Sequence, residues 1–197
     1  DSGGNLDVAA GGSAVDATIS SGGKITVNGT LTSAVIYSNA SGYIESGGVG
    51  SSISLSGGGV GYNASLDVSS GAIVYGTVLD GVGAYTWVDG GVTNDSIVSS
   101  GATENILNGG QSVDAQILSG ATLAILSGGA GVSATIAGIA SVASNGTLSG
   151  GSVSSGGEVI VASGGIIAGT MTILSGGVIS GGEVSSGGDL IVSSGGG

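Results

Sequence analysis

The feature that most constrains this chain is a repeat. Between Gly81 and Ala137 three nineteen-residue copies follow one another: GVGAYTWVDGGVTNDSIVS, SGATENILNGGQSVDAQIL and SGATLAILSGGAGVSATIA. Aligned on their glycine pairs, Gly90, Gly109 and Gly128 share a column, and Gly91, Gly110 and Gly129 the next. The same alignment puts Trp87, Ile106 and Ile125 in one apolar column and Val98, Ile117 and Ile136 in another. Ser96, Ala115 and Ala134 form a small column between them. A period of about twenty residues denotes a solenoid, whose units cannot bury an apolar face until neighbours stack on it.

Within a copy the spacing is that of strands. Leu123 and Ile125 alternate with Thr122 and Ala124, a period of two. A Gly-Gly pair interrupts the strand, since glycine reaches backbone angles closed to other residues. A second alternation, Val132-Ser133-Ala134-Thr135-Ile136, follows, and the next Ser-Gly closes the unit. The predicted fold is all-β: a single-stranded parallel β-helix of about ten ~19-residue coils, a rod roughly 45–50 Å long at the spacing of paired strands. Forty-six glycines raise the alternative of a disordered chain, but 40% hydrophobic residues, evenly spread, oppose it. No Gly-X-Y period is present, which excludes collagen.

The period predicts one β-solenoid domain over 1–197. In its first coil Leu6 and Val8 are expected inward on one strand, and Val15, Ala17 and Ile19 on the next. Ile25 falls under Leu6 and Val27 under Val8. Ser33-Ala34-Val35 then repeats Ser13-Ala14-Val15 at a spacing of twenty, which implies one residue inserted at Asn28-Gly29-Thr30. Over 41–79 the coils are irregular, with starts expected near Ser41, Ser56 and Ser70. Tyr43, Tyr62 and Tyr75 enter here, either filling a wider core or covering a shortened coil, or else forming a face for a partner. Regular coils occupy 81–137. Gly138 to Ser154 is a shortened coil with Ala140 and Val142 inward. The closing SGG triplets at Ser175, Ser180, Ser186 and Ser194 fit either a shorter period or a frayed end. The register begins and stops inside a repeat, so the expectation is a segment of a longer array.

Composition excludes most chemistry. The chain has no His, Cys or Pro, one basic residue (Lys24) and thirteen scattered acids, for a net charge of −12. Nucleic acid is not an expected partner, because its phosphates need Lys and Arg. No thiol, disulfide or metal chemistry is expected, and no cofactor or catalytic residue is assigned. Asp16 and Asp114 are equivalent in VDAT and VDAQ but many coils apart. Glu104 is expected at a strand edge with its carboxylate in water. Five Asn-x-Ser/Thr sequons, at Asn28, Asn39, Asn63, Asn94 and Asn145, are what chance produces in a chain this rich in Ser, Thr and Asn.

Units such as GGSAVDATISSGG, SGGKITV and GGQSVDAQILSGATLAILSGG resemble the AIDA-type repeats of bacterial self-associating autotransporter adhesins, which include TibA-like glycoproteins. The resemblance covers nearly the whole chain and is weakest from Tyr43 to Leu79. It implies a right-handed β-helix passenger, exported after periplasmic transit through its own outer-membrane barrel and displayed at the bacterial surface or secreted. It implies a non-enzymatic role in adhesion to host epithelial cells, autoaggregation and biofilm formation. It also implies covalent heptose on serines, added by a dedicated cytoplasmic heptosyltransferase. A polysaccharide-degrading β-helix and an ice-binding solenoid are the alternatives. The former lacks clustered acids and bases, and the latter lacks stacked Thr-x-Thr pairs, since Thr30-Leu31-Thr32 and Thr170-Met171-Thr172 stand alone.

The candidate acceptors are the serines beside the glycine turns. Ser2, Ser21, Ser46, Ser127, Ser155, Ser163, Ser175 and Ser186 precede Gly-Gly, and Ser100 and Ser119 precede Gly-Ala. Serine is a common turn residue whose hydroxyl bonds nearby backbone, which explains its presence without any modification. A turn also places the hydroxyl on the edge of the rod, where a sugar disturbs no core packing.

Overall fold

The structure, a computed structural model, describes residues 3–197. It is a β-solenoid of ten stacked coils built from parallel strands, with no helix among the described residues. The coils open with Asn5–Val8, Lys24–Val27, Ser41–Ile44, Ala64–Ser69, Ala84–Asp89, Thr103–Ile106, Thr122–Ile125 and Ile139–Val142. The ninth and tenth open with the first residues of Glu158–Ile173 and Val178–Val184. Pairing joins equivalent strands of successive coils in register, as where Leu6 stands against Ile25, Val8 against Val27, and Leu123 against Ala140. Side chains alternate in and out along each strand, and the inward ones, Ile, Leu, Val and Ala, form one long core.

Each coil has three strand segments rather than two, separate in coils 1 to 6 and run together across one or more corners in coils 7 to 10. Coil 3, for example, uses Ser41–Ile44, Val49–Ser51 and Ser54–Ser56. The corner between the second and third strands is made by one residue in the left-handed region. Asp16, Ser33, Ser52, Asp95, Asp114 and Ser133 all have φ of 53–56°, and coils 4, 8 and 9 place Gly76, Gly150 and Gly169 there. Such a conformation costs an L-residue roughly 1–2 kcal/mol. The stack holds it, because the amide of each corner donates to the next coil: Asp95 N–H to Val113 O at 3.0 Å, Asp114 N–H to Val132 O at 2.9 Å. The equivalence of Asp16 and Asp114 is therefore a matter of backbone. The corner also reverses facing within what the sequence suggested was one alternation. Val15, expected inward, is 62% exposed and Ala14 lines the core in its place, while Ala17 and Ile19 face inward as expected.

The glycine pairs have two separate causes. Gly128 has φ of 79°, the value a type II turn demands at its third position. Gly129 has no room for a side chain, since a Cβ there would lie 2.5 Å from the Ile106 carbonyl oxygen of the coil before.

Several registers differ from expectation. In coil 5 only Asp89 separates Val88 from Gly90, whereas Leu107 and Asn108 separate Ile106 from Gly109. An alignment pinned to glycines is therefore one residue out in the strand before them. The apolar column is Val88, Ile106, Ile125, while Trp87 stands against Asn105 and is 40% exposed. A one-residue slip sends every side chain to the other face. The column Val98, Ile117, Ile136 holds as expected, and Ser96, Ala115 and Ala134 are buried.

The turn at Asn28-Gly29 is short rather than long. Ser13 stands against Thr30 and Thr18 against Val35, a step of seventeen, so Ser33 is a corner like Asp16 and not the equivalent of Ser13. The expected short coils near Ser56 and Ser70 are likewise absent. Ser41 faces Ser65, a step of 24, and the additional residues form a loop at 57–63. The coil opened by Ile139–Val142 is short, with Ala140 and Val142 buried. The closing segment forms a tenth coil of ordinary length, with Glu158 against Val178 and Thr170 against Asp189.

Candidate functional site

The structure puts Ser21, Ser46, Ser100, Ser119, Ser127, Ser155, Ser163, Ser175 and Ser186 in one local geometry. All nine are exposed, and each precedes a glycine with φ between 77° and 83°. Ser2 lies outside the described residues. The turns close by an amide-to-carbonyl bond around the serine: Gly23 N–H to Ser20 O at 2.8 Å, Ala121 N–H to Leu118 O at 2.9 Å, Gly129 N–H to Leu126 O at 3.0 Å. With its backbone fixed at the second turn position, the serine side chain projects from the rod's edge.

The turns also stack, which sequence reasoning did not reveal. Gly101 N–H donates to Gly120 O at 2.8 Å, Gly156 N–H to Gly176 O at 3.0 Å, and Gly176 N–H to Gly195 O at 2.7 Å. Successive turn serines are thus held about one strand spacing apart, about 4.8 Å. Ser100 and Ser119 form one such pair, and Ser155, Ser175 and Ser194 continue that edge of the rod. On the other edge stand Ser46 with Ser70, then Ser127, Ser144 and Ser163. Ser70, Ser144 and Ser194 share the geometry, exposed and followed by Gly71 (φ 80°), Asn145 (φ 61°) and Gly195 (φ 83°), although they are not among the candidate acceptors. Only Ser144 lacked the glycine signal. Ser70 precedes Gly-Ala, as Ser100 and Ser119 do, and Ser194 precedes Gly-Gly. Asn39 and Asn145 occur as turn residues with φ of 60° and 61°, standing where other turns use glycine.

The core is not apolar throughout. Glu104 stands in register between Thr86 and Leu123, inward and fully buried, not at a strand edge in water. Its carboxylate accepts from Thr93 Oγ1 at 2.7 Å, Ser96 Oγ at 2.8 Å and Ser112 Oγ at 3.0 Å. Burial pushes its pKa up, and the three hydroxyls pull the other way without overcoming that. The buried Thr77 and Thr86 hydroxyls nearby have no partner. Asn105, also buried, donates from Nδ2 to Thr86 O at 3.2 Å. The sequence did carry a signal for Glu104, because it shares the parity of Ile106 and the column of Leu123.

The aromatic residues, all between Tyr37 and Trp87, fill no core. Tyr37, Tyr62, Tyr75 and Trp87 are exposed, and Tyr43 and Tyr85 are half-buried. Asp67 lies between Tyr43 and Trp87 in the same outward column. Desolvation raises its carboxyl pKa, and the nearby Glu45 raises it further. The Lys24 ammonium sits 4.4 Å from the Tyr43 ring centroid.

No protein-family model matches the chain, and no curated protein matches it. Among solved structures it is similar to the TibC-catalysed hyper-glycosylated TibA 55–350 fragment, with a TM-score of 0.72 and 30% sequence identity. The match covers 99% of this chain and 77% of that one. With that identity sustained over the whole stack of coils, the chain belongs to the TibA family of β-helical adhesin passengers.

Proposed function

We propose that this chain is the glycosylated stalk or adhesive segment of a bacterial surface adhesin, with O-linked heptose on its turn serines. The observation that carries the reading is the pair of serine rows: exposed hydroxyls on hydrogen-bonded turns, stacked coil on coil along the rod's edges. A sugar at Ser119 or Ser127 meets solvent and leaves Ile117 and Ile125 buried as before. The TibA fragment is hyper-glycosylated by TibC, and a cytoplasmic heptosyltransferase of that kind is the enzyme partner proposed here. The role is non-enzymatic. Displayed at the cell surface or secreted after periplasmic transit, the rod binds host epithelial cells and other copies of itself through many weak contacts. Avidity then exceeds the affinity of each and supports autoaggregation and biofilm.

Intact-mass measurement of the chain co-expressed with such a transferase tests this. The expected result is a ladder in steps of one heptose, with modified peptides mapping to Ser-Gly turns and including Ser70 and Ser194. An unchanged mass, or sugar on the Asn sequons instead, overturns it.

A further inference from the structure

Coils 3 to 5 carry on one face a set of side chains that the other coils lack. The outward column of their first strands reads Tyr43, Asp67, Trp87, and a second column on the same face reads Ser41, Ser65, Tyr85. Tyr43 and Trp87 therefore stand two strand spacings apart, about 9.6 Å, with the Asp67 carboxylate between them. Trp87 is shared by two shallow grooves. One, about 440 Å³, is lined also by Tyr43, Asp67, Ser69 and Asp89. The other, about 660 Å³, is bounded by Asn39, Asn63, Ser41, Ser65 and Tyr85, with Gly61 of the loop at its rim. Further along the first column stand Asn105, Ala124, Ser141 and Ile160, and no ring.

We propose that this face binds a neutral saccharide of at least two rings, stacked on Tyr43 and Trp87 and held by Asp67 and Asp89. A pyranose has a face of C–H bonds and a rim of hydroxyls. The C–H face packs on the negative face of an aromatic ring, and the rim needs acceptors already in place. Two rings separated by a carboxylate supply both at the scale of a disaccharide. Asp67 is half-desolvated in the free protein, so hydroxyls donated by a ligand replace water it has already lost. Asn63 and Asn39 extend the polar rim across the second groove. The charge of the ligand follows from its surroundings. Glu45, Asp67 and Asp89 lie on this face against a single cation, Lys24, whose ammonium sits beside the Tyr43 ring. A carboxylated or sulfated sugar meets three carboxylates and one ammonium, a net repulsion.

The site goes beyond the glycoprotein reading and does not depend on it, because binding is measured on chain that carries no sugar. The chain has a single tryptophan, Trp87, so its fluorescence reports this face alone. Lactose, chitotriose and mannotriose are titrated against the unglycosylated protein, with sialyllactose as the charged counterpart of lactose. The expected result is a saturable change in Trp87 emission with at least one neutral oligosaccharide, and none with sialyllactose at the same concentrations. Tyr43→Ala and Asp67→Asn should each weaken binding about tenfold or more. Tyr75→Ala, on another strand of the coil, should leave it unchanged. Immobilised neutral glycan provides the readout for Trp87→Ala, which should lose binding while retaining its unfolding transition. No response to any neutral saccharide at millimolar concentration overturns the proposal. So does undiminished binding by Tyr43→Ala, or an emission change that follows protein concentration alone and so marks a second copy on this face.

Discussion

Coils 4 to 6 and coils 7 to 9 share one backbone plan and fill it differently. In the later group the inward columns are aliphatic or small: Leu123, Ala140 and Val159 on the first strand, Gly131 and Leu148 on the second. In the earlier group the corresponding places hold Thr86 and Glu104, then Thr93 and Ser112, with Thr77 and Ser96 just before the third strand. The outer faces differ in step with the inner ones, since the aromatic residues end at Trp87 and the later coils present mainly small and aliphatic side chains. A solenoid separates these choices. Backbone pairing between coils supplies order wherever the turns are right, so one stretch can spend core stability on polar groups while its neighbours keep a dry aliphatic ladder.

The comparison breaks most visibly if an acid is moved one coil along. Leu123→Glu puts a carboxylate where the equivalents of Thr93, Ser96 and Ser112 are Ser112, Ala115 and Gly131. Only one hydroxyl remains, and Glu104 already uses it. The loss should exceed about 4 kcal/mol, seen as a collapse of the urea midpoint, although an acid at Glu104 itself is tolerated.

Glu104 should also make stability depend on pH. Its native pKa is raised above the unfolded value by burial. The stabilisation due to the protonated form is therefore complete below the ordinary carboxylate range, around pH 4, and is lost as pH rises through the native value. The expected denaturation midpoint falls from mildly acid to alkaline pH. Glu104→Gln should raise the midpoint at alkaline pH and flatten the profile, leaving the smaller slope that half-buried Asp67 contributes in the same direction. A profile for Glu104→Gln as steep as that of the parent rules out the assignment.

Ser96→Ala removes one donor from the buried carboxylate and should cost about 1–3 kcal/mol. Ala115 and Ala134, one and two coils on, show that the backbone accepts alanine there, so chemical denaturation of this variant isolates the hydrogen bond. The smallest effect is expected at Trp87. Its ring is outside the core, and Trp87→Ala should shift stability by about 1 kcal/mol or less. A loss as large as that of a buried aromatic would restore the ring to the interior and erase the distinction between the two faces.

The sequence by itself determined the solenoid, its period and the identity of the turns. The glycine columns and the ladder Val98, Ile117, Ile136 follow from a repeat in which like residues must stack. The exposed Ser-Gly turns were legible for the same reason, because a left-handed third position leaves few residues to choose from. What the tertiary structure decided is the facing of each residue between turns. A corner at Asp114 or Ser133 uses an ordinary polar residue in a strained conformation, held by hydrogen bonds to the next coil, and no local signal separates it from a strand. One missing residue between Val88 and Gly90 then turned Trp87 outward, and a corner at Asp16 did the same for Val15. Glu104 became a buried acid because Thr93 and Ser112, on strands of two coils, and Ser96, just past a corner, converge on it. Period is local and repeats in the sequence; facing and partnership depend on how many residues each corner takes, which only stacking sets.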